Sequence, residues 1–363
     1  MAGKNPGKQF SIGVDYGTNS VRALIVDVAD GTELASAVFD YPSGEAGILL
    51  DPADPNVARQ HPGDYIEGFY KSVRQAVSKA KKSPGFAPDR VIGLGVDTTG
   101  STPIPVDRDG LPLALQERFK DELAAQAWLW KDHTAHAEAA EITEKAAQHR
   151  DGYLNKCGGT YSSEWYWSKL LHCKRTSPKV FKAAYGWVEL ADFIPGFITG
   201  HTDPDTMPRS VCAAGHKAMY AAQWGGLPSE EFLESLDPAL APLRQRYAET
   251  ALASDQKAGE LTAEVAKRVG LPAGVPVAVG AFDAHHGAVG SGVKPGTLVK
   301  IIGTSTCDIM VAPGDVKLED IPGVCGLVPG SVLPGMIGIE AGQSAVGDIF
   351  NWFVRSLSPK AFG

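Results

Sequence analysis

Three acidic residues follow apolar segments that have the length and pattern of buried strands. Asp15 follows residues 10–14, Asp97 follows residues 91–96, and Asp283 follows residues 276–282. A carboxylate in such a position can hold a hard divalent cation through water, which we predict for Asp15, or accept a proton from a bound hydroxyl, which we predict for Asp283. For Asp97 and Asp283, capping of the backbone amides that follow is the alternative interpretation.

Two glycine-containing turns are candidates for binding phosphate. Residues 10–27 alternate apolar and small side chains around the turn 16–20, which predicts a β-hairpin. Residues 297–311 repeat this arrangement around residues 303–306, with Ile301 in the place of Asp15. Glycine allows a ligand to approach closely, and the amides and hydroxyls of such a turn can face phosphate oxygens. Two unrelated hairpins with ordinary polar turns are the alternative.

The elements that must position these residues follow from the spacing of apolar side chains. We predict strands at 33–41, 91–96, 187–191 and 276–282, and helices at 64–82, 117–150, 162–175, 192–199 and 261–269. The long helix would carry Trp128 and Trp130 near its middle. Residues 42–62, rich in Gly, Pro and Asp, are predicted to form an irregular loop.

Composition limits the classes of function. The 363 residues, 44% hydrophobic and 21% charged, suit a globular protein long enough for two domains. The net charge of −8 gives no support to a nucleic-acid or anionic-membrane partner. Five scattered cysteines without a C-x-x-C pair argue against a disulfide framework or a zinc site, and no apolar run approaches the length of a membrane span. We therefore expect a cytoplasmic protein without membrane association.

Other motifs do not compete with the two turns. The sequence lacks G-x-x-x-x-G-K-[ST], G-x-S-x-G, and a G-x-G-x-x-G at a strand-helix junction. The histidine pairs 133/136 and 285/286 lack the further ligands of a metal motif such as H-E-x-x-H.

The motifs resemble those of the FGGY carbohydrate kinases. The similar segments, between Ser11 and Val354, are GVDYGTNSVRA, GVDTTGSTPIPVD, GGTYSSEW, AGHKAMY, GAFDAHHGAVG, GTSTCDIMV and EAGQSAVGDIFNWFV. GGTYSSEW and EAGQSAVGD are most like those of the bacterial ribulokinase branch. The resemblance implies an α/β fold with RNase H-like topology, the superfold of actin, Hsp70 and sugar kinases. It implies an essentially complete sugar-binding first domain at 1–290 and a partial nucleotide-binding second domain at 291–363.

The resemblance also implies an activity and a role for individual residues. The activity is MgATP-dependent phosphorylation of a ketopentose, L-ribulose to L-ribulose 5-phosphate in L-arabinose catabolism, with a homodimer among the options. Mg²⁺ would lie at Asp15, and Asp283 would be the general base. ATP phosphates would contact two sets of turn residues, Gly17, Thr18 and Asn19 in the first and Gly303, Thr304 and Ser305 in the second. The sugar would contact residues from several motifs, namely Gly100, Trp130, Lys217, Asp283 and Glu340.

Two departures from the family pattern lead to further expectations. Gly100 stands where close relatives usually carry Ala, which predicts a looser sugar pocket. The family's glycine-rich adenosine-binding motif does not occur in these 363 residues, so we expect either a fragment of a longer protein or an incomplete nucleotide site. The alternatives are a kinase for another ketopentose or a polyol of the xylulose or ribitol type, an Hsp70-like or actin-like ATPase, and an inactive sugar-binding relative.

Overall fold

The computed structural model describes residues 8–303, 305–343 and 345–359. Its strands are β1 (Phe10–Tyr16), β2 (Ser20–Asp27), β3 (Glu33–Asp40), β4 (Leu49–Asp51), β5 (Asp54–Gln60), β6 (Val91–Thr98), β7 (Pro103–Val106), β8 (Ala127–Trp128), β9 (Gly186–Glu189), β10 (Arg209–Ser210), β11 (Ala251–Leu252), β12 (Lys257–Glu260), β13 (Pro276–Ala278), β14 (Ala281–Phe282), β15 (Val299–Ile302), β16 (Thr306–Pro313), β17 (Gly326–Pro329) and β18 (Met336–Gln343). Its helices are α1 (Pro62–Ala80), α2 (His136–Gln148), α3 (Tyr166–Thr176), α4 (Pro178–Ala183), α5 (Leu190–Thr199), α6 (Val211–Lys217), α7 (Glu230–Leu236), α8 (Ala241–Gln245), α9 (Ala263–Val269), α10 (Asp283–Gly290) and α11 (Gly347–Ser356).

The larger sheet has the order β12-β13-β6-β1-β2-β3, with β14 also paired to β6. The predicted first hairpin and third strand are confirmed, since β1, β2 and β3 form an antiparallel meander. β6 runs parallel to β1, and β13 and β14 run parallel to β6. The sheet therefore combines an antiparallel hairpin with parallel strands whose carboxyl ends meet at one edge.

Helix α1 covers one face of this sheet. The stripe predicted from helical spacing, Tyr65, Phe69, Val73 and Val77, is fully buried against the strands. In β1, alternate residues from Phe10 to Tyr16 point into the same core, as the period-2 pattern predicts. A second core, rich in aromatic side chains, joins α2, α3 and α7.

A smaller antiparallel sheet follows, in the order β15-β16-β18-β17. The second predicted hairpin is confirmed, because β15 and β16 pair around residues 303–305. The connection has three residues, like residues 17–19 between β1 and β2. After this sheet comes α11, which leaves several large apolar side chains exposed, namely Ile349, Phe350, Trp352, Phe353 and Val354.

The prediction of one helix over 117–150 is wrong, because only α2 is α-helical there. Long-range contacts hold the preceding chain in another conformation. Asp132 accepts a hydrogen bond from the Ala58 amide at 2.7 Å and pairs with buried Arg59, whose guanidinium stacks 3.5 Å above the Trp128 ring. These tertiary contacts override the helix propensity of an Ala- and Glu-rich segment.

Two shorter segments also differ from prediction. The expected loop at 42–62 contains β4 and β5, and β5 pairs with β8. The expected strand at 276–282 is divided into β13 and β14. Gly280 interrupts it, since its backbone packs so closely on the Ala191 carbonyl that a Cβ would collide there. Among the described residues, no helix is long and apolar enough to cross a membrane.

Candidate active site

Three predicted carboxylates gather at one edge of the larger sheet. Asp15 on β1 pairs in register with Asp97 on β6, and Asp97 pairs with Ala281 on β14, two residues before Asp283. Since the three strands are parallel, their carboxyl ends open at the same edge. Open α/β sheets bind ligands at this edge.

Asp15 lies beside both a carboxylate and a guanidinium. Partial burial and then Asp97 raise the pKa of Asp15 to about 6, while Arg22, which donates a hydrogen bond to its Oδ2 at 2.8 Å, opposes the rise. A cation bound between two neighbouring carboxylates reduces the repulsion between their negative charges. Hard oxygen donors are the ligands that Mg²⁺ takes, so this pair fits the predicted metal.

Asp283 is the first residue of α10, and the N-cap position belongs to Phe282. Asp283 is thus not the formal N-cap, but its Oδ1 accepts a hydrogen bond from the next amide, Ala284, at 2.7 Å, so it does bind a backbone amide that follows. Asp283 is exposed to the cleft, while the protein around its carboxylate removes part of its hydration. This loss of hydration and then the charge of Asp97 raise the pKa of Asp283 to about 7. A carboxylate that titrates near neutral pH suits a general base.

A cavity of about 230 Å³ lies next to Asp283. It brings together residues that are far apart in the sequence, and all five predicted sugar contacts line it, namely Gly100, Trp130, Lys217, Asp283 and Glu340. Ser305 from the second turn lines the same cavity.

Lys217 and Glu340 form a buried ion pair in the wall of the cavity. Lys217 ends α6, Glu340 lies on β18, and Lys217 Nζ is 2.8 Å from Glu340 Oε1. Burial opposes both charges, yet each partner stabilises the other, so the pKa of Lys217 is raised and that of Glu340 lies well below its usual range. The pair stays charged and can offer both a donor and an acceptor to hydroxyl groups.

The first turn contacts the cavity wall through Trp130, whose Nε1 donates a hydrogen bond to Thr18 Oγ1 at 3.1 Å. Two groups of this turn are already engaged: the Gly17 amide donates to Ser20 at 3.0 Å, and Asn19 Nδ2 donates to the Ala46 carbonyl at 2.7 Å. A Cβ at Gly17 would meet Ser20 O at an ordinary 3.5 Å. Neither packing nor a positive φ requires glycine at position 17. The role left for this glycine is to keep the space of a side chain open for a ligand.

The second turn has a similar internal bond, from the Gly303 amide to Ser305 O at 2.8 Å. A Cβ at Gly303 would likewise make only an ordinary contact, with Ser305 O nearest at 3.8 Å. Thr304, the remaining predicted phosphate ligand, lies outside the described residues.

The expected loosening of the pocket at Gly100 does not occur. The Phe282 ring fills the space that an alanine methyl group would take, and a Cβ at position 100 would lie under 3.0 Å from three of its carbons. Phe282 is 3% exposed and lines the cavity. The missing methyl group is therefore replaced by an aromatic ring.

Sequence reasoning assigned no role to several other residues of the cavity wall. Glu164, Trp165, Phe282 and His285 all line it. Glu164 and Trp165 belong to GGTYSSEW and Phe282 and His285 to GAFDAHHGAVG, so the motifs that carried the resemblance contained the signal. Lys217 Nζ lies 5.4 Å from the Trp165 ring centroid.

The chain belongs to the FGGY family of carbohydrate kinases, because the model of the family's N-terminal domain matches residues 10–290. A ribulokinase from Vibrio parahaemolyticus is 43% identical over 355 residues, which cover 97% of this chain and 62% of that protein. A ribulokinase from Mycolicibacterium smegmatis is 40% identical over 360 residues, covering 97% and 61% respectively. The chain thus spans about three fifths of the length of these relatives.

Solved structures confirm the predicted fold class. Xylulose kinase from Rhodospirillum rubrum superposes with a TM-score of 0.75 at 22% identity, covering 97% of this chain and 64% of that one. Plasmodium falciparum glycerol kinase with ADP gives a TM-score of 0.73 at 13% identity, covering 98% and 65%. At these identities the likeness concerns the fold, an α/β carbohydrate-kinase fold of the actin and Hsp70 type that the chain represents in part.

Proposed function

We propose that the full-length protein phosphorylates a ketopentose with ATP, converting L-ribulose to L-ribulose 5-phosphate. The observation that carries this proposal is the convergence of Asp283, the Lys217–Glu340 pair and Ser305 on one cavity of about 230 Å³. A cavity of this size with a charged donor and acceptor suits a small polyhydroxy compound. The identity of 43% to a ribulokinase favours L-ribulose among the ketopentoses.

In this proposal, Asp283 accepts the proton of the terminal sugar hydroxyl while the hydroxyl oxygen forms a bond to the γ-phosphorus of ATP. The bond between that phosphorus and the bridging oxygen breaks, and ADP leaves. Lys217 and Glu340 hold other hydroxyls, and Trp130 and Phe282 exclude water from one side of the sugar. Phosphoryl transfer depends mainly on such positioning and on charge stabilisation.

We assign the phosphates to the two turns, residues 17–19 and 303–305, and Mg²⁺ to Asp15 with Asp97 beside it. The lack of a side chain at Gly17 and Gly303, where a Cβ would make only ordinary van der Waals contacts, supports the first assignment, and the raised pKa of Asp15 supports the second. When bound, Mg²⁺ supplies positive charge that neutralises phosphate oxygens.

We further propose that residues 1–290 form the sugar-binding domain and that residues 291–363 begin the nucleotide-binding domain. The exposed apolar side chains of α11 support a second domain that continues and covers them, as does the greater length of the relatives. We propose a cytoplasmic location, in keeping with five free cysteines.

The test is a coupled ADP-release assay of the full-length protein with L-ribulose, D-ribulose, D-xylulose, ribitol and glycerol. We expect the highest kcat/KM with L-ribulose and dependence on Mg²⁺. If another sugar gives the highest kcat/KM, that sugar is the substrate and the protein is still a carbohydrate kinase. ATP hydrolysis that no sugar stimulates would support the Hsp70-like or actin-like alternative, and sugar binding without turnover would support an inactive relative.

A further inference from the structure

Behind the Lys217–Glu340 pair lies a cluster of two buried histidines. His216 on α6 places Nδ1 at 3.0 Å from Glu340 Oε2, and His285 on α10 places Nε2 at 3.5 Å from the same oxygen. All three side chains are at least 95% buried. His216 Nδ1, both nitrogens of His285 and Glu340 Oε2 have no well-aligned hydrogen-bond partner among the described residues.

The packing around His216 presses it against the strand pair that carries Glu340. Gly326 on β17 pairs with Glu340 on β18, and a Cβ at Gly326 would collide with His216 Nδ1. A Cβ at Gly338 would collide in the same way with Ser331 Oγ. Two glycines therefore make room for the histidine and for the serine behind it.

Hydrogen-bond accounting places a proton on His216 Nδ1. Ser331 Oγ lies 3.0 Å from both the Val328 carbonyl and His216 Nε2, so its one hydroxyl hydrogen can go to either. The Val328 carbonyl also accepts from the Ser331 amide at 3.4 Å. His216 Nδ1 lies 3.0 Å from a carboxylate oxygen of Glu340, and a lone pair on Nδ1 would set two acceptors against each other in a buried site. A proton on Nδ1 removes this conflict, whether Nε2 accepts from Ser331 or donates to it.

We propose that His216 carries a proton on Nδ1 and positions Glu340 in the sugar cavity, with Ser331 fixing the orientation of the imidazole ring. The chain of contacts runs from the Val328 carbonyl through Ser331 and His216 to Glu340 Oε2, while Lys217 holds Oε1. The carboxylate is thereby held from both oxygens. The positioning role rests on the proposed function, but the protonation state does not.

Other groups around the cluster favour a proton over a metal ion. His216, His285 and Glu340 place one ligand atom each within 4.8 Å of one another. However, a divalent cation would add two positive charges in a buried site beside the Lys217 ammonium, 2.8 Å from the same carboxylate, whereas a proton on Nδ1 adds at most one. Burial and then the neighbouring His216 hold the pKa of His285 well below its usual value, so that ring is neutral. The remaining titratable groups nearby, Asp283, Cys307 and Cys325, add no cation.

The first experiment is ¹⁵N NMR of histidine-labelled full-length protein without sugar, with His216 assigned by its loss in His216→Phe. We expect a protonated Nδ1 for His216. A ring protonated only on Nε2 would overturn the proposal. So would about one equivalent of a transition metal in the purified protein that His216→Phe removes.

The second experiment measures L-ribulose KM and kcat. His216→Phe should raise KM by roughly 10- to 100-fold, the range for losing a hydrogen bond to a charged group, with a smaller change in kcat. Ser331→Ala should act in the same direction but less, and provides the test if His216→Phe does not fold. The matched control is His136→Phe at an exposed histidine, which should change neither constant. Normal KM in both Ser331→Ala and a folded His216→Phe would overturn the positioning role, whereas absence of turnover in the unmodified protein would count against the proposed function alone.

Discussion

The close contact between Gly100 and Phe282 leads to the prediction that Gly100→Ala destabilises the protein and weakens sugar binding. The new methyl group would lie under 3.0 Å from three ring carbons of Phe282. Non-bonded carbons pack at about 3.5 to 4.0 Å, so the ring would have to retreat by about 1 Å or more. It can move only into the sugar cavity or against the small core formed by Ala191, Cys212 and Ala213.

The expected magnitude follows from this lack of space. Overpacking a core costs about 1–3 kcal/mol of unfolding free energy. Phe282→Val alone should also destabilise, by less than the ~3–5 kcal/mol of a full Phe→Ala truncation. The double variant should recover much of the loss, because the smaller side chain leaves room for the methyl group. We expect a coupling free energy of about 1–2 kcal/mol in the double-mutant cycle.

The assay is urea unfolding followed by tryptophan fluorescence, together with L-ribulose KM for each variant. Gly95→Ala is the matched control, because it lies on β6 and its Cβ would meet no atom within 4 Å. That control should be neutral or slightly stabilising. If Gly100→Ala costs no more than Gly95→Ala and the two changes at 100 and 282 are additive, the proposed steric conflict does not exist.

The remaining predictions concern three charged residues. Asp283→Asn should lower kcat by about 10² to 10⁴ with sugar affinity retained. The rate of the unmodified protein should rise with pH through the pKa of Asp283, about 7. A pH-independent rate would exclude Asp283 as the base. Because folding raises the pKa of Asp283, the unfolded state loses the proton first as pH rises. The free energy of unfolding therefore falls between about pH 4 and about pH 7. In Mg²⁺-free buffer, Asp283→Asn should raise Tm above pH 7 and lose that advantage near pH 4. Asp15→Asn should increase the Mg²⁺ concentration needed for half-maximal rate while calorimetric sugar binding stays normal, and unchanged Mg²⁺ dependence would remove Asp15 from the metal site. Lys217→Ala should raise KM and cost on the order of 3 kcal/mol by leaving Glu340 buried without its partner, and equal KM values would place the sugar elsewhere.

The parts of the fold that local pattern controls were predictable. Both hairpins and α1 follow from alternation or helical spacing within a few residues, and the structure has them at nearly the predicted bounds. The segment before α2 was not predictable, because its conformation depends on Arg59 and Asp132, more than 70 residues apart. A local pattern contains no information on such a pair.

The candidate site divides in the same way. A carboxylate at a strand end is visible in the sequence, so Asp15, Asp97 and Asp283 could be selected from the residues alone. Lys217 and Glu340 lie 123 residues apart. Resemblance to a family named both as sugar contacts, but their ion pair was not predicted. His216 and Ser331 are 115 residues apart, and their contact depends on glycines that make room for it. Only the packed structure reveals that role.

Glu340 and the second turn belong to the same sheet, and this has a thermodynamic consequence. Glu340 pairs with Ile309 on β16, the strand that leaves the turn at Thr306. A ligand held by the turn and a ligand held by Glu340 therefore act on one hydrogen-bonded unit. Under the proposed function, linkage makes the effect reciprocal: if a nucleotide tightens sugar binding tenfold, the sugar must tighten nucleotide binding by the same factor. Calorimetric titrations in both orders would then have to yield a single coupling constant.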